Sequence, residues 1–332
     1  MKKKKEQIKW PKLSVIICTY NCKDDAKKCF ETIKSQDYPG ELELIASDGG
    51  STDGTVEALE KIGVKVLYNK EKLPEGKGRG KWLGYKNAKG EVIMIIDSDN
   101  FPIEKDWVKK MVKPLVVDES VGFCISRMAV VKTDKIVNRY LSLVGPDPFV
   151  SYRSMDGLLP LNKLKLKDKG DYQTYDIKLK KFLITGGNYF TIKKKTLEKI
   201  GGYTHDVNVV YNLAKNNLGR VAIPKDATLH HLIIKDIKKF VKKKFWWATV
   251  FFQKQVHDAS RDFNWMPKTN MEKVSLSLRI LNNLILIPNT VIGIKMAVKD
   301  RESAWLLHPI MMWLTTASYL GAYFYSKFKK SD

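Results

Sequence analysis

The sequence is poor in cysteine, and its few cysteines follow no pattern. Of 332 residues only Cys18, Cys22, Cys29 and Cys124 are cysteines, with no CxxC pair among them. That spacing indicates neither a zinc site nor a disulfide framework, and reduced thiols in a cytosolic compartment are the expectation. A G-x-G-x-x-G fingerprint is also missing. The turn after the first apolar run is "CTYNCKDD", which excludes a dinucleotide-dependent oxidoreductase. The later "GKGRG" is glycine-rich but lacks P-loop spacing. No N-x-S/T sequon occurs. Negative charge is scarce as well: 36 Asp and Glu face 59 Lys and Arg, a net charge of +23. Such an excess suits nucleic acid, anionic lipid or phosphorylated ligands. No finger, helix-turn-helix or aromatic RNP pattern accompanies it, so nucleic acid is not an expected partner. The start, "MKKKKEQIKWPK" (1–12), is basic with no apolar core behind it and reads as a solvated tail rather than a signal peptide.

What is present is a rhythm. "LSVIIC" is a short apolar run rich in β-branched residues, the mark of a buried parallel strand, and "LELIAS", "VKVLYN" and "EVIMII" read as further strands. Between them, "DDAKKCFETIKSQ" places Ala26, Cys29, Phe30 and Ile33 on one helical face, and "TVEALEKIG" is a helix closed by Gly63. Strand and helix alternating in this way predict βαβ units and a mostly parallel sheet in an α/β fold. Ligands of such sheets bind beyond the carboxyl ends of the strands. "TYN", "SDGGSTD" and "DSDN" all lie at those ends and converge on one crevice.

The tetrapeptide "DSDN" (97–100) follows the apolar run of "EVIMII". Two carboxylates one residue apart at the mouth of a core strand suit a hard cation, Mg2+ or Mn2+, that bridges a diphosphate. Regularity drops between about 132 and 182, a segment that reads as a variable, acceptor-side insertion. "GGNYFTIKKKTLEKIGGY" returns to strand and helix, and "ATLHH" ends the α/β region at 231.

Residues 232–273 change character. "IKDIKKFVKKKFWWATVFFQKQV" mixes lysines with aromatics and predicts a basic amphipathic helix at a membrane surface. Within 274–332, "LSLRILNNLILIPNTVIGIKMAV" (276–298) is long enough to span, though it carries Arg279 and Pro288. "AWLLHPIMMWLTTASYLGAYFY" (304–325) has no formally charged residue, aromatics toward its ends and "SKFKK" behind it. Two spans would form a transmembrane hairpin that returns the basic C-terminus to the cytoplasm. The alternative for the second segment is a buried core helix.

Together, "LSVIICTYN", "ELIASDGGSTDGT", "GKGRGKWLGYKNAKGEVIMIIDSDN", "GGNYFTIKKKTLEKIGGY" and "ATLHH" resemble glycosyltransferase family 2, over roughly residues 12 to 231. The resemblance implies a GT-A fold over 13–231, a nucleotide-sugar donor (UDP- or GDP-linked) and a metal-dependent, inverting transfer. It implies that Thr19, Tyr20 and Asn21 line the base and ribose pocket and that Asp48 hydrogen-bonds the nucleobase or ribose. Lys77 or Arg79 would approach the donor, and Asp97 and Ser98 would sit at the donor as well. Asp97 and Asp99 would be the Asp-x-Asp metal pair, Asp99 the more direct ligand, with His231 of the His230–His231 pair as a third. Each also has a bland explanation: Asn21 as a turn former, Asp48 and Asp53 as helix caps, Lys77 as a solvated charge, the His pair as structural.

The family's acidic pair after "GG[FY]" is here "HD": Asp206 keeps the carboxylate of the general base, and His205 replaces the Glu. Asp171 and Asp176 are the fallback bases, and Lys215 is nearest to an expected basic residue of the following helix. The Gln-x-x-Arg-Trp motif of processive relatives is absent near "KKKFWW" (242–247), so long-polymer synthesis is not expected. With the membrane segments, the acceptor implied is a polyprenyl (dolichyl) phosphate or a lipid-linked saccharide. The catalytic domain would then face the cytoplasm at the cell membrane. The rival expectation is a basic nucleic-acid- or membrane-binding scaffold that carries a degenerate transferase domain.

Overall fold

A computed structural model of the chain describes residues 8–180, 182–185, 189–234, 236–255, 262–263 and 266–329. Two compact units form, one from the chain up to 129 with 163–231, the other from 130–162 with 232 onward. The segment between 132 and 162, expected to vary on the acceptor side, clusters with the C-terminal helices.

The first unit opens with β1 (Leu13–Thr19), α1 (Lys23–Lys34), β2 (Leu42–Asp48), α2 (Thr55–Lys61), β3 (Lys65–Tyr68), α3 (Gly80–Asn87) and β4 (Val92–Ile96). There follow β5 (Asn100–Pro102), α4 (Trp107–Val117), β6 (Phe123–Ile125) and β7 (Arg127–Met128). After α5 (Ile136–Val144) and α6 (Leu158–Asn162), which belong to the second unit, the chain returns with β8 (Lys167–Asp168), β9 (Tyr172–Asp176) and β10 (Tyr189–Lys193). The unit closes with α7 (Lys194–Lys199), α8 (Asp206–Lys215), β11 (Arg220–Pro224) and β12 (Thr228–His231).

Nine strands make one sheet, in the order β3-β2-β1-β4-β10-β6-β11-β9-β8. β1 to β4 are mutually parallel, and β10 and β9 run against their neighbours. The expected apolar runs account for this. Every residue of β4 is buried, as are the predicted Ala26, Cys29, Phe30 and Ile33 of α1. Parallel register sets Thr19 beside Asp48, so both end at the same edge of the sheet. A second sheet, β5-β12-β7, pairs His231 with Asn100 and so draws the end of β12 against the tetrapeptide.

Two glycines fix where α3 lies. A Cβ at Gly84 would meet Ile16 Cγ2 at 2.4 Å, and one at Gly80 would meet Cys18 Sγ at 2.7 Å. With hydrogen at both positions, one turn apart, the helix backbone lies directly on β1. Lys81, between them, is carried beneath the strand ends.

The second unit is helical: α5 and α6, then α9 (Ile237–Val250), α10 (Asn270–Ile285), α11 (Ile287–Asp300) and α12 (His308–Phe328). Tyr140, Leu141, Phe240, Trp305 and Met311 form its core. The Tyr140 ring meets Trp305 edge-on at 6.3 Å, and its hydroxyl lies 2.9 Å from His308 Nδ1. The expected pair of straight spans does not form. Residues 276–298 break at Leu286, whose φ of 65° ends α10, and α10 and α11 bend by 73°. Pro288, in the first turn of α11, is the cause, since it has no N–H to continue a helix and restricts the residue before it. Among the described residues no single helix is long and apolar enough to cross a membrane, α12 included; the bent pair passes that test only together.

Around the bent pair and α12 the polarity is inverted. Asn283, Asn289, His308, Thr315 and Thr316 are buried. Asn283 donates to Thr316 Oγ1 (3.0 Å) and accepts from Asn289 (3.2 Å). Val274, Leu278, Leu281, Ile287, Val291, Ile294 and Val298 of the bent pair are exposed, as are Ile310, Trp313, Phe324 and Phe328 of α12.

Candidate active site

The site is built at the carboxyl ends of β1, β2 and β4. Asp48, the last residue of β2, is buried and fills its acceptor capacity locally. Its Oδ1 accepts from the amides of Gly50 and Ser51 (both 2.8 Å), its Oδ2 from Thr19 Oγ1 (2.8 Å) and Ser51 Oγ (2.6 Å). It therefore anchors the turn after β2 at the wall of the crevice, with Thr19 as its partner across the parallel strands. Asn21, at φ 47°, holds the adjacent turn by accepting from Thr52 N at 2.8 Å. Asp53, one residue before the Gly54 N-cap of α2, accepts from Thr55 N (3.1 Å). Tyr20, by contrast, is 56% exposed beside Gly49, an open aromatic face at the mouth. Lys77 is exposed on the loop after β3, while Arg79 folds back to donate to the Glu75 carbonyl at 3.3 Å.

The centre of the site is a residue that the sequence reading missed. Lys81 is buried, 3% exposed, and its Nζ lies 3.0 Å and 3.1 Å from the two carboxylate oxygens of Asp206 and 3.4 Å from Asp97 Oδ1. Asp206 opens α8, and its Oδ1 also accepts from Tyr203 Oη at 2.6 Å. The available signal was the Gly80–Gly84 pair, which forces this helix onto the strand and leaves its first lysine nowhere but the crevice. Burial pushes the Asp206 carboxyl up, but Lys81 and the Tyr203 hydroxyl outweigh it and hold it below the usual carboxylate range. Burial likewise disfavours charged Lys81, yet Asp206 and Asp97 keep its ammonium well above the ordinary range. Asp97 shifts the other way. Desolvation pushes it up, repulsion from Asp99 and Asp206 adds to this, and Lys81 only partly opposes it.

Asp99 closes the constellation. His231 Nε2 is 3.4 Å from Asp99 Oδ1, because β12 pairs with β5. Ser98, between the two carboxylates, meets the Cys22 thiol. His230 points the other way and packs against Phe101. The fallback bases lie elsewhere: Asp171 is ion-paired with Lys113, and Asp176 with Arg220 at 2.7 Å, four strands along the sheet from β4. His205 is buried as the residue before α8, and Lys215 is exposed in its last turn.

Among the described residues no group of three or more His, Cys, Asp or Glu side chains could hold a metal unaided. The charge nevertheless fits a cation. Asp97 and Asp206 flank one ammonium, Lys81, and Asp99 adds a third carboxylate beside His231. Asp99 and His231 offer a hard oxygen and an imidazole nitrogen side by side, and a diphosphate could supply further oxygens, as Mg2+ and Mn2+ prefer.

A parallel sheet with carboxylates and one buried ammonium gathered at its carboxyl ends defines an α/β enzyme suited to a phosphate-bearing ligand and its cation. Comparison with known proteins makes this specific. Residues 14–200 match the glycosyl transferase family 2 model, and the chain belongs to that family. Over 115 residues it is 31% identical to the glycosyltransferase YfnE of Bacillus subtilis, covering 34% of this chain and 29% of that protein. Over 90 residues it is 34% identical to the UDP-Glc:alpha-D-GlcNAc-diphosphoundecaprenol beta-1,3-glucosyltransferase WfaP of Escherichia coli, covering 27% and 36%. Over 106 residues it is 31% identical to a dolichyl N-acetyl-alpha-D-glucosaminyl phosphate glucuronosyltransferase of Methanococcus voltae, covering 30% and 33%. The chain thus spans well under two thirds of the length of these relatives. Among solved structures, the mannosyltransferase PcManGT of Pyrobaculum calidifontis, in complex with GDP-Man and Mn2+, superimposes with a TM-score of 0.56. That match covers 94% of this chain and 88% of the other at 18% identity, a likeness of fold, GT-A in kind.

Proposed function

We propose that this glycosyltransferase moves a sugar from a UDP- or GDP-linked donor to a polyprenyl phosphate or polyprenyl-linked acceptor, at the cytoplasmic face of the cell membrane and with inversion. The observation that carries the acceptor is the inverted polarity of the bent pair and α12, polar side chains buried and aliphatic ones exposed. Water rewards the opposite arrangement, and contiguous exposed apolar surface of this kind marks contact with a membrane or a partner. Buried Asn, Thr and His joined by hydrogen bonds beneath an aliphatic exterior is how helices pack in lipid. α9 adds exposed Lys238, Lys239, Lys242 and Lys243 with Trp246 and Trp247, a basic aromatic face for anionic headgroups. Names of relatives agree: WfaP acts on a diphosphoundecaprenol-linked sugar, the Methanococcus protein on a dolichyl-linked one.

In the donor site, Tyr20 offers a stacking face for the base, and Asp97, Asp99 and His231 would hold Mg2+ or Mn2+. The metal would neutralise charge on the departing nucleoside diphosphate; PcManGT is crystallised with Mn2+. The acceptor oxygen forms a bond to the anomeric carbon as the bond to the diphosphate breaks, and a single displacement inverts that centre. A hydroxyl acceptor would give its proton to Asp206. Held by Lys81 and Tyr203, and with its pKa depressed, Asp206 is a weak base. That favours an acceptor which is already an oxyanion, a polyprenyl phosphate.

The test is sugar transfer by the detergent-purified protein, with a panel of UDP- and GDP-sugars, Mg2+ or Mn2+, and polyprenyl phosphate or a lipid-linked saccharide. The expected product partitions into organic solvent and is lost with EDTA. Metal-dependent release of nucleotide without a lipid product would overturn the acceptor. No turnover of any donor would favour the scaffold.

A further inference from the structure

Within the second unit lies a cavity of about 300 Å3, lined by Phe149, Tyr152, Trp247, Phe252 and Leu276 among others. Its polar groups are few. Asp147, the one carboxylate of the lining among the described residues, accepts from Lys244 Nζ (3.0 Å), from the Phe149 amide (3.1 Å) and from the Tyr319 hydroxyl. Its charge is matched and its lone pairs are occupied, so the cavity presents an apolar, largely aromatic wall.

One helical turn beyond Leu276 on α10, the Arg279 guanidinium stacks on the ring of Tyr152, itself a lining residue, at 3.0 Å. Arg279 Nε is buried and has no hydrogen-bond partner among the described residues. Arg153 follows Tyr152 in the chain and is near enough to repel Arg279. Glu272 accepts from the amides of Lys268 (2.7 Å) and Thr269 (3.0 Å) in a capping box and attracts Arg153, which leaves Arg279 without an acid of its own among the described residues. A buried donor left unpaired beside a second positive charge is expensive unless an anion completes it. An apolar chamber whose wall residue Tyr152 carries the unpaired Arg279 guanidinium on its ring fits an amphiphile with an apolar chain and a compact anionic head.

We propose that this cavity binds the phosphate-proximal end of an isoprenoid phosphate, the prenyl chain inside and the phosphate on Arg279 and Arg153. The inference rests on the acceptor class proposed above. Capacity agrees with it: a cavity of roughly 150 Å3 takes one benzene, so this one takes about two five-carbon units. Arginine suits the head because its planar fork binds phosphate through two parallel hydrogen bonds.

The experiment is equilibrium dialysis of the full chain in detergent against radiolabelled farnesyl phosphate, with farnesol and inorganic phosphate as competitors. Farnesyl phosphate should bind saturably, farnesol at least tenfold more weakly, and inorganic phosphate should not compete at millimolar concentration. Arg279→Gln should weaken farnesyl phosphate about 10- to 100-fold, the range for losing a charged hydrogen bond, and leave farnesol unchanged. Leu276→Trp, which fills the chamber, should abolish binding of both, while a thermal shift by donor nucleotide shows that the α/β unit remains folded. Equal affinity for alcohol and phosphate, or an unaffected Arg279→Gln, overturns the arginine pair. Undiminished binding by Leu276→Trp, or non-saturable uptake into micelles, overturns the cavity. Transfer to polyprenyl phosphate that survives Leu276→Trp would leave the acceptor class standing and this site alone refuted; no lipid product from the wild type would refute the acceptor class itself.

Discussion

Three charged residues in one crevice carry opposite stabilities. Asp206 has its pKa depressed, so the fold binds its ionised form more tightly than the unfolded chain does. The resulting stability is present above the ordinary aspartate value, about 3.9, and is lost as pH falls through the lower folded value. Lys81, raised, contributes below its ordinary value of about 10.4 and loses that contribution only as pH climbs past the higher folded one. Asp97 is raised, so its ionised form is disfavoured by folding at neutral pH. Asp206→Asn should therefore destabilise, by about 3 kcal/mol, because it leaves Lys81 buried with one partner fewer. Asp97→Asn should raise the melting temperature at pH 7 while abolishing metal-dependent turnover. Melting scans from pH 3 to pH 9 check both: the Asp206→Asn deficit should be constant from about pH 5 upward and shrink below about pH 4. Two deficits of the same sign would mean that Lys81 does not distinguish the two carboxylates. The same Asp206→Asn protein separates acceptors, since a hydroxyl acceptor should lose about 100-fold or more in rate for want of a base and a phosphate acceptor far less.

At the scale of the element, α3 decides the site, and its seat on β1 is set by two absent side chains. Alanine at Gly84 improves helix propensity by about 1 kcal/mol, but its methyl would sit 2.4 Å from Ile16 Cγ2, on a branched side chain that cannot swing away. Overpacking of this kind costs about 1–3 kcal/mol. Gly84→Ala should therefore lower stability despite the propensity gain, and tilt Lys81 away from Asp206; calorimetry and donor-nucleotide affinity should fall together. A melting temperature at or above wild type would show that the helix backs off freely. This element also shows where the sequence was legible. Strands β1 and β4 were readable because burial on both faces demands apolar runs rich in β-branched residues. The carboxylates at strand ends were readable because those ends converge. Lys81 was not, since a lysine among many lysines looks solvated until the glycines beside it are understood as packing constraints. Nor was the saturation of Asp48 by Thr19 and Ser51, a product of parallel register. Residues 276–298 were legible in composition but not in shape: Pro288 stood in plain view, and hydropathy alone says nothing of a 73° bend.

For the whole molecule, the question is what meets the exterior of the second unit. Net charge of +23 would draw the protein to an anionic surface, and such attraction fades with salt. The exposed Leu278, Leu281, Val291 and Ile294 of the bent pair would hold it there by a force that salt does not screen. The two contributions can be separated by flotation of the full chain with vesicles. At low salt, anionic vesicles should carry more protein than neutral ones, and neutralising Lys238, Lys239, Lys242 and Lys243 together with Gln should erase that preference, at about 1 kcal/mol per lysine. In about 1 M NaCl, where the screening length is near 3 Å, wild type and lysine variant should both still float. Replacing Leu278, Leu281, Val291 and Ile294 by Ser should strip the protein from vesicles at that salt and leave the electrostatic preference at low salt. Because α10 and α11 are bent and neither is long enough to cross, the expected geometry is insertion into one leaflet, with protease reaching the protein from the outer side of the vesicles only. Protected fragments that appear on the inner side would restore a spanning arrangement. Complete release of the wild type by salt would mean that another protein, rather than lipid, covers the apolar face, and the membrane-borne acceptor would fall with it.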